Sequence, residues 1–164
     1  MILLIDGRSG SGKTTLARRF GRVLGWPIVH LEDVYPGWGG LAAASEILAQ
    51  QILNPLLAPS QRGFYRWDWH ASAPAEWVPT PHTPSLIVEG CGALTADSLA
   101  AARGLGDAQV WGVWVSAPSK LRYQRAMARD DHFRSHWHMW AAQEERHIDR
   151  NRPQALADWV IRSH

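Results

Sequence analysis

Gly7-Arg-Ser-Gly-Ser-Gly-Lys-Thr14 is the stretch on which the reading of the whole sequence turns. It fits G-x-x-x-x-G-K-[ST] at every required position, the pattern of a phosphate-binding loop, or P-loop. Its flanks agree. Ile2 to Ile5 is a continuous apolar run, as in a strand buried on both faces. Residues 13–24 predict a helix with Leu16, Phe20, Val23 and Leu24 on one face and Arg18, Arg19 and Arg22 elsewhere. Gly25-Trp-Pro27 stops it. Glycines let the backbone curl so that successive N–H groups point at phosphate oxygens, at a helix N-terminus whose dipole favours anions. Gly7, Arg8, Ser9, Gly10, Ser11, Gly12, Lys13, Thr14 and Thr15 are therefore candidate nucleotide-binding residues. Lys13 would reach the β- and γ-phosphates and the Thr14 hydroxyl would ligate magnesium, so ATP and Mg2+ are the expected cofactors.

Short apolar runs alternate with amphipathic stretches along the rest of the chain, which predicts βαβ units around a parallel sheet. Ile28 to Leu31 reads as a second strand, Gly37-Trp-Gly-Gly40 as a flexible corner, and Leu41, Ala44, Leu48 and Ile52 mark a helix. Ser85 to Glu89 and Val110 to Val115 are further buried strands, residues 118–129 and 137–150 are helices, and Trp159-Val-Ile161 is a last strand. Residues 54–84 break the pattern with Pro55, Pro59, Pro74, Pro79, Pro81 and Pro84 around Phe64-Tyr-Arg-Trp-Asp-Trp69. That segment is too aromatic for a disordered linker and too proline-rich for a helix, so it predicts an ordered loop with room for one edge strand.

A chain of 164 residues with 46% apolar and 20% charged residues has the balance of one globular domain. No apolar run approaches the roughly 20 residues of a membrane-spanning helix. The start turns acidic at Asp6 without a basic n-region, which is unlike a secretory signal. A single cysteine, Cys91, fits a reducing cytoplasm and excludes disulfide scaffolds and zinc ribbons. The net charge is +2, and apart from Lys13 and Lys120 the basic residues are arginines, suited to phosphate oxygens. No basic block forms a nucleic-acid stripe.

The P-loop by itself names no reaction. No [NT]-K-x-D base-reading motif of a GTPase and no L-S-G-G-Q segment of a transport ATPase is present, and the chain is too short for an AAA module. What remains is a small phosphotransferase or a small NTP-binding switch. In an open parallel sheet ligands sit beyond the carboxyl ends of the strands. The second strand ends in Glu32-Asp33 and the third in Glu89-Gly90, so both acidic groups would meet the P-loop on one edge. Ile5-Asp-Gly-Arg-Ser-Gly-Ser-Gly-Lys-Thr-Thr15, His30-Leu-Glu-Asp-Val-Tyr35 and Leu86-Ile-Val-Glu-Gly90 resemble the corresponding stretches of the uridine kinase-like P-loop kinases. Arg122-Tyr-Gln-Arg-Ala-Met-Ala-Arg-Asp130 is similar to the arginine-rich entry to that family's lid, and Ala157-Asp-Trp-Val-Ile161 to its last strand. The resemblance implies that Asp33 accepts the substrate hydroxyl proton and that Glu89 helps hold magnesium or its waters. The chain departs from the family in being shorter, and the nucleoside-side β-hairpin is hard to find in it. Tyr65, Trp67 and Trp69, within 60–78, stand where it would be.

Each candidate has a plainer alternative. Asp33 could cap a turn, and Glu89 could be a structural carboxylate. Asp6 is read as structural, bracing the loop. Arg122, Arg125 and Arg129, spaced by three and four, share a helix face. That face could be merely solvated, or Arg125, Arg129 or another of the group, including Arg134, could stabilise the transferred phosphoryl. His132, His136 and His138 lack a zinc-site spacing. Trp111 and Trp114 read as core, as do Trp137 and Trp140. Tyr35, Trp38, Trp67 and Trp69 sit in loops where an aromatic ring could stack on an acceptor.

Together these features predict a three-layer α/β P-loop NTPase fold with a parallel sheet of about five strands and helices on both faces. It would be one domain, with an acceptor-side insertion near 54–84 and a lid near 129–138. The expected activity is that of an ATP- and Mg-dependent small-molecule kinase acting on a hydroxyl or phosphate of a nucleoside, nucleotide or similar metabolite. The alternatives are a non-transferring ATP-binding or ATPase regulator, or a kinase for a sugar, a shikimate-type alcohol or an antibiotic. The expected partner is the small-molecule acceptor, with neither nucleic acid nor membrane, in a cytoplasmic monomer or homodimer.

Overall fold

The structure, a computed structural model, describes residues 1–129 and 132–164. β1 (Ile2–Asp6) shows why its apolar run is unbroken: Ile2 and Leu4 enter one apolar core while Leu3 and Ile5 enter another on the opposite face. The P-loop leads into α1 (Lys13–Leu24), which ends at Gly25 with φ 70° and its N–H on the Gly21 carbonyl. β2 (Ile28–His30) runs into a 3₁₀ turn at Leu31–Asp33. α2 (Leu41–Ile47) continues as a π turn through Ile52.

After the segment 53–62 come β3 (Gly63–Asp68) and β4 (Ala73–Pro79), then β5 (Leu86–Glu89), α3 (Ala96–Arg103) and β6 (Val110–Ser116). α4 (Ser119–Arg129), α5 (Phe133–Asn151), α6 (Pro153–Leu156) and β7 (Trp159–Arg162) complete the chain. The main sheet is five-stranded in the order β2-β5-β1-β6-β7, with all its pairings parallel. Leu16, Ala17 and Phe20 of α1 cover one face together with Ile87, Val113 and Val115. Leu41, Leu48, Leu99, Ala102, Phe133 and Trp140 cover the other, which makes three layers.

Four features differ from the sequence reading. The segment 63–79 is a β-hairpin, not a loop with one strand, and it forms its own two-stranded antiparallel sheet. Both strands are edges, where Pro74 and Pro79 are tolerated, and a register shift between Tyr65 and Trp67 hides the alternation. The hairpin is anchored through Phe64, which is buried. α3 was not anticipated. Its start is fixed by a reciprocal pair in which Ser98 N–H donates to Thr95 Oγ1 at 3.0 Å and Thr95 N–H to Ser98 Oγ at 2.9 Å. Serine stands where the usual motif has Glu or Gln, so the signal was weak. α5 begins at Phe133 rather than 137. Trp111 is half-buried against Trp159, with ring centroids 4.7 Å apart, whereas Trp114 is buried as expected.

Candidate functional site

The carboxyl ends of β1, β2 and β5 lie side by side, with Ile5 and His30 both in register with Glu89. The loop between β1 and α1 turns sharply because Gly7, Gly10 and Gly12 have φ of 149°, 76° and 102°. A Cβ at Gly7 would lie 2.2 Å from the Val115 carbonyl oxygen, and one at Gly10 would lie 2.2 Å from that of Arg122. β6 and α4 thus press directly on the loop, and only glycine fits.

Asp6 braces this loop, as its position suggested. It is fully buried, and its Oδ1 accepts Gly7 N–H at 2.6 Å and Gly92 N–H at 3.1 Å. Its Oδ2 accepts Leu94 N–H at 2.9 Å and lies 2.9 Å from His147 Nε2. Lys13, also buried, donates through Nζ to the Arg8 carbonyl at 3.1 Å, with Cys91 Sγ at 3.5 Å. Burial would lower the Lys13 pKa, and burial also pushes the Cys91 thiol up to about 12, which leaves it neutral. The carboxylates of Glu89, Glu144 and Asp6 therefore hold the Lys13 ammonium above its usual value.

Thr14 Oγ1 donates to Glu89 Oε1 at 3.0 Å, so the two expected magnesium residues are brought together. A hydroxyl and a carboxylate beside a phosphate loop are the hard oxygen donors that Mg2+ takes when it keeps most of its waters and binds phosphate. The residues present fit that ion. His30, which the sequence reading passed over, lies with Nδ1 2.6 Å from the same Glu89 oxygen. The hydrogen bond to Glu89 raises the His30 pKa above its usual 6.5. Burial disfavours the Glu89 charge, but His30 and then Lys13 and Thr14 hold its carboxyl below the usual 4.5.

This pair has a definite pH window. Its stabilisation is complete above the unfolded Glu89 value and below the unfolded His30 value, between 4.5 and 6.5. It fades as pH rises through the raised His30 pKa and as pH falls through the lowered Glu89 pKa. His30→Asn should therefore lower the melting temperature most near pH 5–6 and progressively less towards pH 9. A difference that stays constant from pH 5 to 9 would show that His30 carries no charge in this pair.

Asp33 sits half-buried in the 3₁₀ turn directly beyond β2. The arginines of α4 diverge. Arg122 is buried, with Nη1 3.4 Å from the Ser9 carbonyl and its guanidinium carbon 5.9 Å from the centre of the Trp137 ring. Arg125 donates to Ser163 Oγ at 2.8 Å and to the His164 carbonyl at 3.1 Å. It therefore borders a cleft of about 460 Å3 lined by Ser11, Gly12, Thr15, Arg19 and the end of β7, a place the sequence reading did not give it. Arg129 lies 3.5 Å from Glu32, next to Asp33, and Arg134 is exposed on α5. Of the lid expected near 129–138, residues 130 and 131 lie outside the described residues, and the stretch from Phe133 belongs to α5.

On the acceptor side, Trp38 stacks on His136 with centroids 4.0 Å apart and planes 5° from parallel, and Trp69 lies 5.0 Å from Trp38. Trp69 Nε1 donates to the Glu32 carbonyl at 3.0 Å. Trp67 borders the same corner, 3.6 Å from where a Cβ on Gly37 would be. Tyr35 departs from its expected place. It is buried, its hydroxyl donates to the Cys91 carbonyl at 2.9 Å, and its ring packs edge-on to Trp140. It is part of the core and presents no ring to an acceptor.

Sequence reading took α5 for an apolar stripe and missed its buried polar residues, Gln143, Glu144 and His147. Their offsets of one and four place them on adjoining faces of one turn. Polar residues inside an otherwise core-facing stripe were the available signal. Among the described residues no cluster of three or more His, Cys, Asp or Glu side chains is arranged to hold a metal.

No protein-family model and no curated protein matches the sequence. Solved structures do. The chain is similar to a gluconokinase from Sinorhizobium meliloti 1021, with a TM-score of 0.50 and 16% identity over 98% of this chain and 79% of that one. The chain has a P-loop kinase-like fold. Similarity extends to an uncharacterized protein from Eubacterium ventriosum ATCC 27560 (TM-score 0.49, 12% identity, 99% and 87% of the two chains). It extends also to TT1252 from Thermus thermophilus (TM-score 0.47, 19% identity, 100% and 88%). The gluconokinase shares the architecture, while the likeness to uridine kinases rests on the sequence motifs. Among the described residues, no helix is long and apolar enough to cross a membrane.

Proposed function

We propose that the chain is an ATP- and Mg-dependent small-molecule kinase. The observation that carries this reading is the Thr14–Glu89 hydrogen bond beside buried Lys13 at the carboxyl ends of β1 and β5, with Asp33 in the turn directly beyond neighbouring β2. The cleft beside Ser11 and Arg125 suits the nucleoside end of ATP, and the corner at Trp38, Trp67 and Trp69 suits an acceptor. Loop amides and Lys13 bind the phosphates and offset the charge that develops as the γ-phosphoryl moves. Asp33 accepts the proton of the acceptor hydroxyl as its oxygen attacks phosphorus. Thr14 and Glu89 hold the magnesium ion, which neutralises phosphate charge when bound. Arg129 stands on the acceptor side, whereas Arg125 serves the nucleotide side.

A nucleoside or nucleotide is the leading acceptor, on the strength of the uridine kinase-like motifs and the aromatic corner. A gluconokinase on the same fold supports kinase chemistry and puts sugar acids beside them as candidates. The protein is proposed to work in the cytoplasm, as a monomer or homodimer, without nucleic acid. Coupled ADP release should be measured over nucleosides, nucleoside monophosphates, sugars, sugar acids and alcohols, with a control lacking acceptor. Release that depends on one acceptor class is the expected result. Equal release without any acceptor would favour an ATPase instead.

A further inference from the structure

Glu144 is 2% exposed and lies on α5, a helix the P-loop motif does not include. Its Oε1 accepts Ser9 N–H at 2.6 Å and its Oε2 accepts Arg8 Nε at 2.8 Å, with Arg122 Nη1 4.0 Å away. The Ser9 N–H belongs to the peptide unit that joins Arg8 to Ser9. The carbonyl of that same unit accepts Lys13 Nζ at 3.1 Å and Ser11 N–H at 3.1 Å. A trans peptide is planar and its N–H and C=O point in opposite directions. One flat unit is thus held by Glu144 on one side and holds the lysine on the other. Any rotation that releases the N–H from Glu144 also swings the carbonyl away from Lys13.

We propose that Glu144 is a positioning residue for Lys13, acting through the Arg8–Ser9 peptide. The proposal rests on the kinase reading above, in which Lys13 addresses the β- and γ-phosphates. A carboxylate so near a phosphate site would repel the ligand if it were bare. Arg8 neutralises it, and Arg8 is itself held by the Ala141 carbonyl and by Glu145 Oε1, each at 3.4 Å. The neighbouring Gln143 donates to the Trp38 carbonyl at 2.7 Å, so one turn of α5 touches both the lysine's support and the acceptor corner.

The test is titration calorimetry of a non-hydrolysable ATP analogue with Mg2+ on the parent, Glu144→Met and Glu144→Gln, with thermal melts alongside. Methionine keeps the volume and removes the acceptor, whereas glutamine keeps an acceptor oxygen and removes the charge. Glu144→Met should weaken binding by about tenfold, the scale of one lost hydrogen bond, and Glu144→Gln should stay within about threefold of the parent. Parent-like binding by a folded Glu144→Met would overturn the proposal. An equal loss in Glu144→Gln would overturn it too, since charge and not an acceptor would then be what matters. Should Glu144→Met fail to fold, Glu144→Ala, measured below its melting temperature, takes its place: a loss of about tenfold is expected and parent-like binding overturns the proposal. A parent that does not bind the analogue would overturn the kinase reading itself, a result distinct from any pattern among the variants.

Discussion

Lys13→Ala should reduce phosphoryl transfer by about 100- to 1,000-fold, the range for removing one preorganised charge-stabilising donor. The same change should weaken ATP binding. Lys13 is buried and its ammonium is fixed by the Arg8 carbonyl, whereas the other lysine of the sequence, Lys120, is exposed on α4. Its loss also strips Glu89, Glu144 and Asp6 of a shared counter-charge, so an incoming phosphate would meet net repulsion. Because that imbalance could disturb the fold, Lys13→Met, which preserves the buried stem, should be measured in parallel with circular dichroism. A folded variant that binds and turns over ATP like the parent would end the P-loop assignment.

Asp33→Asn should leave the fold and ATP affinity intact and lower kcat by about 100-fold or more, the usual contribution of a general base. Asparagine has nearly the same shape but cannot take up a proton at neutral pH. The substitution lies in the 3₁₀ turn after β2, outside the P-loop, so nucleotide binding serves as an internal control. Steady-state kinetics with the acceptor found in the ADP-release screen makes the measurement. A kcat within a factor of two of the parent would leave Asp33 as a turn residue only.

What could be read from the sequence was whatever local chemistry dictates. An apolar run flanked by glycines and a helical repeat needs no tertiary information, so β1, the P-loop and α1 were legible residue by residue. The edge that gathers Thr14 and Glu89 followed from strand ends in a parallel sheet. The hairpin at 63–79 was not legible, because its prolines and its bulge obey edge-strand rules that resemble loop composition. Tyr35 misled for a different reason: a tyrosine in a loop looks available until Trp140, over a hundred positions later, covers it. Arg125 and Glu144 show the same limit from the other side. Helical spacing placed the arginines on one face without saying that the end of β7 would take one of them. Glu144 looked like any charged helix residue, since its partners Arg8 and Ser9 lie 136 and 135 positions away.

The bracing of Asp6 sets the order in which this protein can assemble. Its partners Gly92, Leu94 and His147 lie 86, 88 and 141 positions further along the chain. Closing such long loops costs entropy before any contact returns it, so these bonds form late. During synthesis, which runs towards the C-terminus at roughly 5–20 residues per second, the phosphate loop stays without Glu144 and His147 until α5 has left the ribosome. Until then Asp6 lacks His147, although Gly7, Gly92, Leu94 and the pairing strands β5 and β6 all precede α5 in the chain. The proposed nucleotide site is thus complete only once α5 has docked, far along the chain from the residues 7–14 that carry its signature.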